Sequence, residues 1–275
     1  MKVLATALIR TLGLGSLLFC LCGAAQADLA SIRNQGRLRV GIAIGVPRFS
    51  YLDAKQELRG SDVDTAGILA RDLGVRLEIV RTSNAGRLKT LETGSADIVI
   101  SSLSITPERE RIISFSPPYA KLFTVVAAHP SLKITGYADL ANLRIGVTRL
   151  TSNAAQIEQH APDAIMVPFD DDALLIKAAV AGKLDLLSSQ QAVIDEINRQ
   201  GANPPFEEKF VQKEFELAIG IPRSEKALRA WISDWVVENL RNGRLNDIYR
   251  RYHGRDLPPE LRPNAKPRQA ERGNP

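Results

Sequence analysis

The chain has 275 residues, with 36 Lys and Arg against 31 Asp and Glu and a formal charge of +5. Its basic residues are scattered among acids and form no stripe with aromatics, which argues against nucleic-acid binding. Cysteine is confined to Cys20 and Cys22, and His129, His160 and His253 lack any H-x-x-x-H spacing, so neither a disulfide framework nor a histidine metal site is expected.

In chain order, Lys2 and Arg10 frame a basic start and Thr11 to Ala25 carries no charge. Ala25-Gln26-Ala27 then places small residues at the cleavage-determining positions. This is the layout of a secretory signal peptide, residues 1–27, cleaved before Asp28. The apolar run is shorter than the ~20 residues of a membrane span. Both cysteines lie inside it, which removes a thiolate nucleophile from the exported chain.

Beyond Asp28, strand and helix signals alternate as in an α/β sheet. "RLRVGIAI" (Arg37 to Ile44) reads as a strand, and Val63, Ala66, Leu69, Ala70 and Leu73 have helical spacing up to Gly74. "RLEIV" is a second strand, "AGRLKTLETG" a helix and "ADIVI", ending at Ile100, a third strand. A comparable set follows: "FTVVAAH" and "LRIGVT" as strands, "SNAAQIEQHA" as a helix, "AIMVPF" as a strand, "DDALLIKAAVAGK" as a helix and "LDLLSS" as a strand. "FELAIGI" gives one more strand. The terminal "EKALRAWISDWVVENLRNGRLNDIYRRYHG" gives helices whose Trp231, Trp235, Leu240, Leu245, Ile248 and Tyr249 have core spacing. The segment 254–275 is proline-rich and polar, with little apolar surface to bury, and is expected to be a flexible tail.

"SSLSITPER" follows the third strand, where ligands of open α/β sheets bind. Strand alternation sends Ser102 and Ser104 to one side. Thr106 suits a helix N-cap and Pro107 the first helical position, which brings Arg109 into the first turn. An arginine fork beside hydroxyls suits a carboxylate held bidentately. Farther on, Thr151 or Ser152 can cap the helix that begins near residue 152.

These stretches, with "LRGSDVDTAGILARDLGV", "TGSADIVISSLSITPERERIISFSPPY", "LRIGVTRLTSN", "AGKLDLLSS" and "NGRLNDIYRRYHG" in order, resemble the bacterial extracellular solute-binding proteins, family 3, of polar amino-acid uptake. The resemblance implies a type II periplasmic-binding-protein-like fold of two α/β lobes, each a mostly parallel sheet flanked by helices. Residues 28–121 plus 216–253 would form lobe 1 and 122–215 lobe 2, with hinge crossings near Tyr119–Leu122 and Lys213–Glu216. It implies a periplasmic monomer without metal or cofactor that captures a small carboxylate-bearing solute, an amino acid foremost, for the permease of an ABC importer. The ligand-binding residues it points to are Phe49, Ser102, Ser104, Arg109, Thr148, Thr151, Ser152, Asn153 and Gln190.

Departures from the family pattern leave the solute open. The acid that the family commonly supplies for the ligand's ammonium is Gln190 here, another frequent acid position is Ala43, and a common glycine is Leu150. Either an amino acid is bound with weaker ammonium recognition or the solute lacks that amine. Asp62 and Asp64 read as helix-initiating and structural; Arg48 and Arg87 fall close to the expected cleft, where they could contact an acidic side chain, although simple solvent exposure is the preferred reading. A cleft enzyme of the cyclohexadienyl-dehydratase type and a periplasmic sensory or accessory binding protein are the alternative roles. The enzyme needs a poised acid or base, and the family-matched positions carry none.

Overall fold

A computed structural model describes residues 29–262; residues 1–28, on which the expected signal peptide falls, and residues 263–275, the end of the expected tail, lie outside the described range. α1 (Leu29–Gln35) leads into β1 (Arg37–Ala43), a short hairpin of β2 (Tyr51–Leu52) and β3 (Leu58–Arg59), α2 (Ser61–Leu73) and β4 (Arg76–Thr82). α3 (Arg87–Glu92), β5 (Ile98–Val99), α4 (Pro107–Glu110) and β6 (Ile113–Phe115) follow. The chain continues through β7 (Ala120–Ala128), β8 (Arg144–Thr148), α5 (Ser152–His160), β9 (Ile165–Phe169), α6 (Asp172–Val180), β10 (Leu186–Gln190), α7 (Gln191–Arg199) and β11 (Glu207–Leu217). β12 (Gly220–Pro222), α8 (Lys226–Arg241) and α9 (Arg244–His253) complete the main elements.

The strands form two five-stranded sheets, one in the order β4-β1-β5-β12-β6 and one in the order β11-β7-β10-β8-β9. In each the centre is parallel: β1 pairs with β4 and β5, and β8 with β9 and β10. Antiparallel strands complete them, because the chain enters the second sheet along β7 and leaves it along β11, its antiparallel neighbour. "FELAIGI" is therefore divided: Leu217 ends β11 and Gly220 begins β12 in the other sheet. Around that crossing, Tyr119 N–H donates to Leu217 O, Ile105 N–H to Glu216 O and Ala218 N–H to Leu103 O, at 2.9, 2.9 and 3.0 Å.

The first lobe has a core built from Leu38, Val40, Ile42, Leu69, Ile98, Ile219 and Ile232. The second sheet is covered on both faces. Leu175, Leu187, Val193 and Ile197 pack in one cluster, and Val126, Ile145, Val147 and Ile157 in another. Trp235, Leu245 and Tyr249 are buried in the first core, with Trp231 and Leu240 packed against it. Trp235 Nε1–H also donates to Asp72 at 2.7 Å.

Two local expectations are corrected. Phe49 does not cover the cleft: it is 3% exposed within the first core, its ring edge-on to His253 at 4.7 Å. His253 in turn stacks on Tyr249 at 4.0 Å and bonds the Ser61 hydroxyl at 3.1 Å, and burial pushes its pKa down to about 3. Nor is the tail free from residue 254, since Leu257 and Leu261 enter the first core at 1% and 7% exposure. Arg262 closes this segment by donating to Leu257 O at 2.7 Å, and Lys121 pairs with Glu260 at 2.6 Å. Two leucines four apart bury enough surface to order a polar segment. Leu257→Ala is expected to cost about 2–4 kcal/mol, read as a lower urea midpoint; a change within error would remove this segment from the core.

Candidate functional site

The third strand is shorter than its apolar run, so alternation does not carry as far as Ser102 and Ser104. Ser102 instead adopts φ 41°, and Ser104 forms a lone bridge with Leu217. Asp62, in the first turn of α2, secures this bend: it accepts Ser102 N–H at 2.6 Å and the Tyr119 hydroxyl at 2.7 Å. Asp62 is thus structural, as read, although it grips the binding loop rather than merely starting a helix.

The helix start after this loop follows the sequence rules. Thr106 is the N-cap, accepting Arg109 N–H at 3.4 Å, and Pro107 stands at the first helical position. The Arg109 side chain is 8% exposed. It donates to Ser104 O at 2.9 Å and, across to the second lobe, to Leu150 O at 3.0 Å. Thr151 is the N-cap of α5, and the Ser152 hydroxyl meets that of Ser104 at 3.1 Å.

Ser102, Ser104, Thr151, Ser152, Asn153 and Gln190 converge on one small cavity of about 30 Å³ in this seam. Arg109 lies in an adjoining cavity of about 620 Å³ that shares Thr151, Ser152, Asn84 and Arg87 with the first. Thr148 sits behind the wall, fully buried, its hydroxyl donating to Asp172 at 2.7 Å. A larger groove of about 1070 Å³ on the seam, lined by Tyr51, Lys177, Asp195 and Tyr252, contains none of the sequence-predicted residues.

Arg87 lies at the cleft, as its position near a helix start suggested, but is not solvated, and two further cleft residues, Asn84 and Asp172, were not read as such. Arg87 is 3% exposed rather than solvated, because the carbonyls of Asn84 and Ser101 receive its guanidinium at 2.9 and 2.7 Å. Asn84 reaches across to Asp172, donating at 3.3 Å and accepting the Asp172 N–H at 3.4 Å. Asp172, itself 3% exposed, lines the central cavity, so the seam does contain a titratable carboxyl. Arg48 also spans the seam, pairing with Asp195 at 2.7 Å. The signal available in sequence was the run Asp170-Asp171-Asp172, more acid than one helix cap requires.

Burial raises the affinity of Asp172 for its proton, opposed by the Thr148 bond and by Arg87. Burial also lowers the pKa of Arg87 and, together with the Arg87 charge, brings Arg109 down to about 9. Neither guanidinium forms an ion pair among the described residues, so the seam holds two desolvated cations that an anion would relieve. Gln190 adds a complementary need. Its Oε1 is buried with no hydrogen-bond partner among the described residues, a deficit worth about 1–3 kcal/mol to a donor that reaches it.

Residues 38–255 match the model of the bacterial extracellular solute-binding proteins, family 3. The chain belongs to that family. It is 24% identical to the L-cystine-binding protein TcyJ of Escherichia coli (strain K12) over 260 residues, 94% of this chain and 95% of that protein. Among solved structures, a solute receptor for L-cysteine from Neisseria gonorrhoeae superposes with a TM-score of 0.77 at 26% identity, covering 85% of this chain and 98% of the other. The ancestral amino-acid-binding protein AncCDT-1, a precursor of cyclohexadienyl dehydratase, gives a TM-score of 0.74 at 26% identity over 82% and 98%. Membership makes this a solute-binding protein, and these neighbours share its type II periplasmic-binding-protein fold.

Asp62 provides a test of the loop's energetics. Burial pushes its pKa from the usual 3.8 up to about 7, against the bonds from Tyr119 and Ser102 and the charge of Arg87. The folded state therefore holds this proton more tightly than the unfolded chain, and stability falls as pH rises between those two values. Asp62→Asn mimics the protonated form, accepting from Ser102 and donating to Tyr119. Its stability relative to wild type should rise from about pH 4 to about pH 7 and then level. Urea midpoints across that range check this, and an advantage that grows toward acid contradicts it.

Proposed function

We propose that this protein captures an amino acid or related small carboxylate between its lobes in the periplasm and delivers it, as a monomer, to the permease of an ABC importer. The observation that carries the reading is the buried pair Arg87 and Arg109, which has no ion-paired acid among the described residues, set among the hydroxyls of Ser104, Thr151 and Ser152. A carboxylate entering there gains charge-assisted bonds from a fork already desolvated. The names of the relatives, cystine- and cysteine-binding, support the solute class.

In this reading residues 28–121 plus 216–253, extended by the packed segment to 262, move as lobe 1 and 122–215 as lobe 2. The paired crossings near Tyr119–Leu122 and Lys213–Glu216 act as the hinge, a common route to domain closure. Direct contacts across the seam define the closed form: Ser104 with Ser152, Asn84 with Asp172 and Arg48 with Asp195. Gly45 permits the approach, since a Cβ there would stand 2.7 Å from that of Ala173. Solute enters when these contacts part and is enclosed when they re-form around it. The signal peptide supplies the export that this role requires.

Likeness to AncCDT-1 and the carboxyl of Asp172 favour one second reading, a dehydratase acting in the same seam. Incubation with prephenate or arogenate separates the two, and no product is expected.

Arg109→Met should weaken binding of whichever standard amino acid or small carboxylate binds wild type by about a hundredfold or more. Isothermal calorimetry measures this. Undiminished affinity would remove Arg109 from the site.

A further inference from the structure

We propose that Asp172 receives the solute's amino group, with Gln190 as its neutral partner, so that the solute is an α-amino acid rather than a plain carboxylate. This rests on the solute-capture reading above and decides what that reading leaves open. The acid that the family pattern places at Gln190 has been replaced in space by one from another element.

The three successive aspartates at the start of α6 have separate tasks. Asp170 pairs with Arg149, and its carbonyl accepts Ala85 N–H at 3.4 Å. Asp171 is the helix N-cap, accepting Leu174 N–H at 2.9 Å. Asp172 is needed for neither and lines the central cavity. Thr148 bonds one of its oxygens and Asn84 the other. A carboxylate accepts about four hydrogen bonds, so capacity remains on both oxygens.

Gln190 is similarly uncommitted. It occupies the N-cap position of α7 yet makes no side-chain capping bond. It is 8% exposed, its Oε1 has no partner among the described residues, and it lines the same cavity as Asp172. An ammonium brings three donors and suits one charged and one neutral acceptor. A solute without an amine would leave Oε1 unsatisfied and bring a second anion toward a buried carboxylate.

The charges along the seam have the polarity of a zwitterion. Arg109 lies in the adjoining cavity and Arg87 lines both, which supplies a cationic end for the carboxylate. Asp172 and Gln190 supply the opposite end. Arg87 faces Asp172 and favours its ionised form, the form that binds an ammonium.

Calorimetry on the full exported chain with matched pairs tests the assignment: L-cysteine with 3-mercaptopropionate, L-glutamine with glutaramate, L-histidine with imidazolepropionate and L-arginine with 5-guanidinopentanoate. For any pair that binds, the amino acid is expected to be favoured about a hundredfold. Asp172→Asn should reduce that ratio by about tenfold to a hundredfold, through loss of a hydrogen bond to a charged group. Gln190→Asp, which adds an acid beside the amine, should raise the ratio. Equal or tighter binding of the deaminated partner overturns the assignment while leaving solute capture standing. So does an Asp172→Asn variant that weakens both members of a pair equally, since a merely structural role predicts that. Binding by no member of any pair overturns the assignment together with the reading beneath it.

Discussion

Two guanidinium groups removed from water set the terms for everything around the seam. Arg87 and Arg109 repel one another and are stripped of solvent, and burial weakens the hold of both on their protons. Backbone carbonyls stand in for the lost water. Those of Asn84, Ser101 and Ser104 come from the first lobe, and that of Leu150 from the second. Carbonyl dipoles solvate a cation without neutralising it. Charge balance is left to the buried acids Asp62 and Asp172 and, in the proposed role, to an incoming anion, which would couple solute capture to the meeting of the lobes.

Three of the five non-glycine residues with positive φ among the described residues lie at the same place, the others being Gln56 and Asn142. Ser102, Leu150 and Arg48 have φ of 41, 57 and 67°, values that side chains beyond glycine rarely adopt. Each such residue costs about 1–3 kcal/mol and persists only where its surroundings hold it. Ser102 N–H is held by Asp62, Leu150 O by Arg109, and Arg48 O accepts Ser61 N–H at 3.0 Å. All three bonds involve the loops that meet at the seam. Leu150, at a position where the family often has glycine, keeps a glycine-like conformation and leaves its side chain 73% exposed.

In the proposed role, closure and selectivity would draw on one set of residues. Asn84 and Asp172 bind each other between the lobes, and Thr148 steadies Asp172 from behind. A solute amine at Asp172 would therefore act on the contact that joins the lobes. On the proposed reading, binding and domain movement would need no separate relay, because the carboxylate assigned to the solute's amine also bonds Asn84 across the seam.

Much of this protein was written locally in its residues. Alternating apolar runs and glycine-ended helices determined an α/β chain. The order Thr106-Pro107-Glu108-Arg109 determined a capped helix with an arginine in its first turn, because capping depends on neighbours within four positions. A cap at Thr151 or Ser152 was legible for the same reason, and the fold selects Thr151. The early part of β11 was not, since "EEKFVQKE" is charged on an edge and becomes a strand only by pairing with β7. Leu257 and Leu261 looked like parts of a polar tail until a core was present to receive them. Tertiary structure alone decided that Phe49 packs inward, that Arg87 is buried by carbonyls at the end of the neighbouring strand, and that Asp172 meets Asn84, 88 positions away. Burial and charge environment come from distant partners brought together by folding, and no local pattern encodes them.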